Sequence, residues 1–233
     1  RTAGDVYLEK RGLVEPFAGN AFTEWGNRLE TIIAEKAAEQ LNDSLIRPAA
    51  SELPIVHSAE GWASCSPDFF LARRSDAVLE IKNVGLRRAH EWGESDTDKA
   101  PARMLVQVQW QMWTTGKREA YVGALIGGND FRLLRVPYDE ELVEMCVARC
   151  KRFWIDNVTA GESPEVDGNP AWDSYLEKRF PSETRDHLTS SPELDEIAEK
   201  LLDVRARIDV LEAEKTLYEN QLKAAIGAHA GLI

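Results

Sequence analysis

Four strand-like runs divided by a single helical segment constrain this chain more than any other feature. Cys65–Arg73 and Ala77–Val84 are rich in strand formers and meet around Arg74-Ser75-Asp76, a hairpin signal. Ala120–Ile126 and Phe131–Val136 flank Gly127-Gly128-Asn129-Asp130, a second one. Between the hairpins, Pro101 opens a helical pattern that stops at Gly116. Residues 20–41 form an earlier helix, with Phe22, Trp25, Leu29, Ile32 and Ile33 as its apolar face and Gly26, Glu30, Ile33 and Ala37 along an adjoining one. Asp139 caps a further helix ending before Gly161. Helices alternating with strand pairs predict an α/β domain with a mixed β-sheet flanked by helices.

The pattern changes beyond residue 160. Pro164, Gly168, Pro170 and Pro181 interrupt residues 161–190, which read as a connecting segment with one short helix near Trp172–Phe180. From Ser191, the residues Leu194, Ile197, Leu201, Val204, Ile208, Leu211, Lys215, Tyr218, Leu222 and Ala225 follow at alternating spacings of three and four. Only Lys215 is not apolar, and Ser191 with Pro192 makes a helix start. The expected organisation is a core over 1–160, a connector over 161–190, and a long heptad helix over 191–233. That helix forms a coiled coil or helical hairpin, or else lies amphipathically on its own domain.

No apolar run approaches the roughly 20 residues of a membrane span, and three cysteines make no disulfide framework, so a reducing cytoplasm is the expected location. A formal net charge of −12 argues against a nucleic-acid partner until the chain is divided. From Gly161 onward there are 16 acids and 8 bases; residues 1–160 hold the other 24 acids and 20 bases, a net of only −4. The acidity belongs mostly to the tail.

Chemistry concentrates in Ala77–Val84. Side chains alternate across a strand, so Glu80 and Lys82 share one face while Leu79 and Ile81 take the other. A hairpin centred near Ser75 sets Asp68 across from positions 81–82. Two carboxylates and an ammonium then converge, with the backbone carbonyl of Ile81 as a further oxygen. Such a set suits Mg²⁺, with Mn²⁺ tolerated, and through it phosphodiester hydrolysis. By itself Glu-x-Lys is weak, since surface hairpins often carry that pair.

Ser66-Pro67-Asp68, twelve residues before Glu80-Ile81-Lys82, resembles the Pro-Asp…Glu-x-Lys signature of PD-(D/E)xK nucleases. Glu30 is similar to their upstream helical carboxylate. Gln107-Val108-Gln109-Trp110-Gln111-Met112-Trp113 and the run Ala120–Ile126 resemble the glutamine helix and following strand of YqaJ-type phage recombinases, the family that includes lambda exonuclease. The resemblance covers roughly residues 5–160. It implies a restriction-endonuclease-like core in which Asp68 and Glu80 ligate Mg²⁺, Lys82 is the catalytic lysine and Glu30 supports the metal, directly or through water. Gln107 would position water or phosphate, with Gln109 the next candidate. It further implies a phage- or prophage-encoded, Mg²⁺-dependent exonuclease acting on ends of linear double-stranded DNA, 5′→3′. A single-strand annealing protein would be its partner and a trimer its assembly. Relatives carry an N-terminal segment, often with an arginine for the 5′ phosphate, and by that resemblance the chain is expected to begin after it, at Arg1. Gly231-Leu232-Ile233 likewise resembles a cut before further sequence.

Arg87, Arg88, Gln109, Lys117 and Arg118 are candidate DNA contacts, with His90 and Trp92 beside the first pair; Arg132, Arg135, Lys151 and Arg152 are weaker ones. Cys146 and Cys150, four apart on a helix, are expected to pack in the core rather than bind metal. Competing readings are another PD-(D/E)xK nuclease, such as a restriction enzyme, and a coiled-coil interaction protein with a decayed nuclease core. Iron–sulfur nucleases need four cysteine ligands, and the chain has three cysteines.

Overall fold

The structure is a computed structural model and describes residues 2–182 and 187–229. Helix α1 spans Ala3–Lys10; Thr2 caps it reciprocally with Asp5, whose carboxylate accepts from the Thr2 amide at 2.9 Å. Helix α2 (Ala21–Leu41) starts at an Asn20 cap and ends on Asn42 in the left-handed region, φ 49°. Short strands β1 (Leu45–Ile46), β2 (Ile55–Val56), β3 (Ser64–Cys65) and β4 (Phe69–Leu71) lead into the long β5 (Ala77–Val84). Helix α3 (Ala102–Thr115) stops on Gly116 at φ 71°. Strands β6 (Glu119–Ile126) and β7 (Asp130–Pro137) enclose a turn in which Gly127 and Gly128 both take positive φ, which only glycine adopts without strain. Helix α4 (Glu140–Phe153) runs on into a wide π turn through Thr159. Helix α5 (Pro170–Arg179) and the 35-residue α6 (Pro192–Ile226) complete the described chain.

The main sheet is ordered β1-β4-β5-β6-β7, with β5 and β6 parallel and the other pairs antiparallel. Parallel pairing is what the α3 crossover requires. Strand β5 is covered on both faces. Leu79 and Ile81 pack with Ile33, Ala34 and Ala37 of α2, whereas Val78 and Val84 pack with Met104, Val108 and Met112 of α3. This three-layer, mixed-sheet architecture is the one expected.

Several local expectations are corrected. In α2 the inward face is Ile33, Ala34, Ala37 and Ala38, while Phe22 is 89% and Trp25 57% exposed. Small alanines let the helix lie close to the sheet. The run Cys65–Arg73 is not one strand: Ser66-Pro67-Asp68 breaks it, and β3 pairs with β2 in a separate two-stranded sheet. In the hairpin Phe69 stands opposite Leu79 and Phe70 opposite Val78, which centres it on Arg74 rather than Ser75. The compact unit also extends to Arg179 rather than residue 160, and Phe180–Ile233 forms a second unit. Trp172 explains the difference: it is buried against Tyr7 and Leu8 of α1 and ties α5 into the first unit. Residues 230–233, where the expected cut falls, and Arg1 lie outside the described residues.

Candidate active site

Strand alternation turns Glu80 toward α3, where it is 1% exposed between the apolar neighbours Leu79 and Ile81 in sequence. A carboxylate this deep requires donors. Lys82, two residues on and on the same face, donates from Nζ to Glu80 Oε1. Gln107 Nε2 donates to the same oxygen at 2.5 Å. Gln111 Nε2 donates to Oε2 at 2.7 Å. The two glutamines stand one helical turn apart on α3, so they reach the two oxygens of one carboxylate. Lys82 keeps its side chain 32% exposed, so its ammonium links the buried carboxylate to solvent.

Asp68 enters from the other strand of the hairpin. With the centre at Arg74 it falls opposite Glu80, and its Oδ2 accepts from the Ile81 amide at 2.7 Å. Burial and the nearby charge of Glu80 push its carboxyl up to about 7, against the Ile81 hydrogen bond and the Lys82 charge, which pull it down. Glu30 adds a smaller upward push from α2. Glu30 is itself held by Arg47 at 2.8 Å, and the Arg47 guanidinium lies 4.3 Å above the Phe69 ring.

Asp68, Glu80, Lys82 and Gln107 are thus brought together, and Glu30 stands within electrostatic reach. Sequence reasoning missed two participants. The four-residue spacing to Gln107 was available as a signal for Gln111; for Arg47, in the loop after β1, no signal existed. Gln109 is corrected: it is buried and faces away, donating to the Pro137 carbonyl at 2.7 Å and accepting from the Asp139 amide at 2.9 Å. It fastens α3 to the start of α4.

The candidate DNA contacts do not form one patch. Arg87 and Arg88 follow the Val84 end of β5, Arg88 being paired with Glu91 at 2.7 Å. Lys117 and Arg118 lie at the opposite end, where Lys117 donates to the Ser75 carbonyl and Arg118 covers the Tyr138 ring. Arg132, Arg135, Lys151 and Arg152 pair with Asp130, Glu119, Glu60 and Asp156. Trp92 is buried among Val84 and Met104 and is not available for stacking on a base. Cys146 and Cys150 are not core residues; with Cys65 they border a cavity of about 560 Å³ that reaches Gln107 and Gln111.

Among the described residues no three His, Cys, Asp or Glu side chains stand close enough to hold a metal by themselves. The donor set is two carboxylates, Asp68 and Glu80, with the Ile81 amide donating to the first. Burial first, and then the neighbouring Glu80 charge, disfavour the ionised Asp68 carboxylate, an imbalance that a hard cation relieves. The buried Gln111 Oε1, without a hydrogen-bond partner among the described residues, is a further oxygen acceptor at the same place. These residues fit a divalent cation of the Mg²⁺ type.

A family model described as a YqaJ-like viral recombinase domain matches residues 1–118. The uncharacterized protein YqaJ of Bacillus subtilis (strain 168) is 28% identical over 229 residues, 96% of this chain and 69% of that protein. Among solved structures, the alkaline exonuclease LHK-Exo of Laribacter hongkongensis superposes with a TM-score of 0.54 at 14% identity, covering 77% of this chain and 83% of that one. A phage-related exonuclease from Haemophilus somnus 129PT gives 0.49 at 14% identity, over 68% and 81% of the two chains. The matched half of the sequence holds Asp68, Glu80, Lys82 and the glutamine helix, and the chain belongs to the YqaJ-like viral recombinase family.

Proposed function

We propose that the chain is a metal-dependent deoxyribonuclease, an exonuclease that hydrolyses phosphodiester bonds at the ends of linear double-stranded DNA, in the 5′→3′ direction and with Mg²⁺. One observation carries this reading: a fully buried Glu80, braced by Lys82, Gln107 and Gln111, lies beside an Asp68 that its charge helps to keep protonated. A structural ion pair has no use for a second crowded carboxylate; a cation site does.

Asp68, Glu80 and the Ile81 carbonyl would hold Mg²⁺, which supplies a hydrolytic water of lowered pKa and neutralises charge developing on the phosphate. Glu30, paired with Arg47, would support the metal directly or through water. Gln107 and Gln111 fix the Glu80 carboxylate so that neither oxygen rotates away. Lys82, its side chain about a third exposed, orients the attacking water and stabilises the phosphate charge as a fixed cation. Double-stranded DNA ends and a single-strand annealing protein are the partners this reading entails, in phage-type recombination.

Digestion of linear duplex with and without Mg²⁺, comparing the wild type with Lys82→Ala, tests the reading. Metal-dependent loss of DNA in the wild type alone is expected; equal digestion by both proteins, or by neither, rejects it. Comparing 5′-phosphorylated with 5′-hydroxyl ends, and labels at either end, reads the polarity.

A further inference from the structure

Helix α6 carries a long heptad seam whose apolar side chains are all exposed. No residue of the helix is buried, and Leu194, Ile197, Leu201, Val204, Ile208, Leu211, Tyr218 and Leu222 are each 44–61% exposed. In heptad terms Leu194, Leu201, Ile208, Lys215 and Leu222 occupy a positions, and Ile197, Val204, Leu211, Tyr218 and Ala225 occupy d. Thirty-five residues at 1.5 Å rise give about 50 Å of seam. That is too much aligned apolar surface for a helix that ends its role in water.

The charges flanking the seam distinguish one way of covering it. In a parallel, in-register coil with a second copy, Lys200 faces Arg205 and Glu214 faces Glu219, two like-charged contacts made twice each. Arg207 facing Glu212 is the one attractive contact. Lys215 would also stack on Lys215 of the second copy inside the core, in a dimer or any larger parallel bundle. Reversing the partner removes every conflict. With the two-fold axis between Asp209 and Val210, Arg207 meets Glu214 and Arg205 meets Glu212, each twice, and Lys200 meets the neutral Gln221. Ile208 then layers with Leu211, Leu194 with Ala225, and Lys215 with Val204, separating the two lysines by about 16 Å along the axis.

We infer that α6 pairs antiparallel with α6 of a second copy of this chain, with the axis at Asp209–Val210. The intrahelical pairs Lys200–Glu196 and Arg207–Asp203 lie along the flanks, and Lys215, the one charged seam residue, pairs with Glu219 of its own helix. The inference concerns the second unit alone and is independent of the nuclease reading.

Full chains carrying Leu194→Cys and Ala225→Cys, mixed and mildly oxidised, test it, with the cross-linked peptides identified by mass spectrometry. A 194–225 disulfide between the two variants is expected. Dominant 194–194 and 225–225 links, or a chain that stays monomeric by light scattering at tens of micromolar, overturns the inference. A charge exchange supplies a second arm. Arg207→Glu should weaken self-association about tenfold, since two small ion pairs turn repulsive. Glu214→Arg alone should also weaken it, because 214 meets Arg207 across the antiparallel pair, whereas in a parallel pair it would meet Glu219 and strengthen it; combining the two substitutions should restore association to within about threefold. Additive weakening in the double variant also overturns it. Digestion of DNA by these variants is expected to match the wild type per chain, which keeps the outcome separate from that of the nuclease assay.

Discussion

Gln111 and Glu80 form a buried, one-sided pair: the glutamine amide donates to the carboxylate at 2.7 Å while its own oxygen has no partner among the described residues. The orientation is enforced by Glu80, because turning the amide over would set an oxygen against a carboxylate. An orphan acceptor at this depth is costly and persists where something else uses it.

The three glutamines of α3 should therefore separate by phenotype. Gln111→Leu removes a donor from Glu80 and is expected to lower the rate of DNA digestion by about ten- to a hundredfold, from loss of a charged hydrogen bond. Gln107→Leu should behave similarly through Oε1. Gln109→Leu should leave the rate per folded molecule near wild type while costing about 1–3 kcal/mol of stability, since it strands the Pro137 carbonyl and the Asp139 amide. Digestion rates beside urea melts distinguish the two behaviours; a Gln109 variant that is stable but inactive would contradict the assignment.

Asp68 makes the metal-free protein sensitive to pH. Its carboxyl, raised to about 7 from an ordinary value of 3.8, binds its proton more tightly in the folded than in the unfolded chain. Stability is therefore lost as pH rises from about 4 through 7, as the unfolded chain ionises first. Denaturation midpoints in EDTA should fall across that window in the wild type and fall less in Asp68→Asn. Mg²⁺ added at pH 8 should raise the wild-type midpoint and leave that of the variant nearly unchanged.

Gly4 permits the α1–α5 contact. A Cβ at this position would lie 2.2 Å from Trp172 Nε1, and the indole is buried with little room to move. Gly4→Ala should displace Trp172 and cost about 1–3 kcal/mol by overpacking. A red shift in tryptophan emission and faster proteolysis near residues 161–179 are the expected signs. Unchanged emission would mean that α5 is not held as described.

Much of the site was determined locally. The two-residue period of Ala77–Val84 is enough to place Glu80 and Lys82 on one face, because alternation depends only on the strand's own backbone. The heptad seam of α6 is equally local, a consequence of 3.6 residues per turn. Register was not. Moving the hairpin centre from Ser75 to Arg74 set Asp68 opposite Glu80, and that depended on the strand breaking at Pro67 and on which phenylalanines fill the core. Periodicity forbade a common face for Gln107, Gln109 and Gln111 without saying which two would meet Glu80; the docking of Met104, Val108 and Met112 on the sheet decided it. The same holds for α2, where alanines rather than Phe22 and Trp25 turn inward. Sequence sets the angular and alternating positions of side chains within an element. Which of those directions becomes the inside is settled by remote surfaces that must fit together at close-packed density, and only the tertiary structure supplies them.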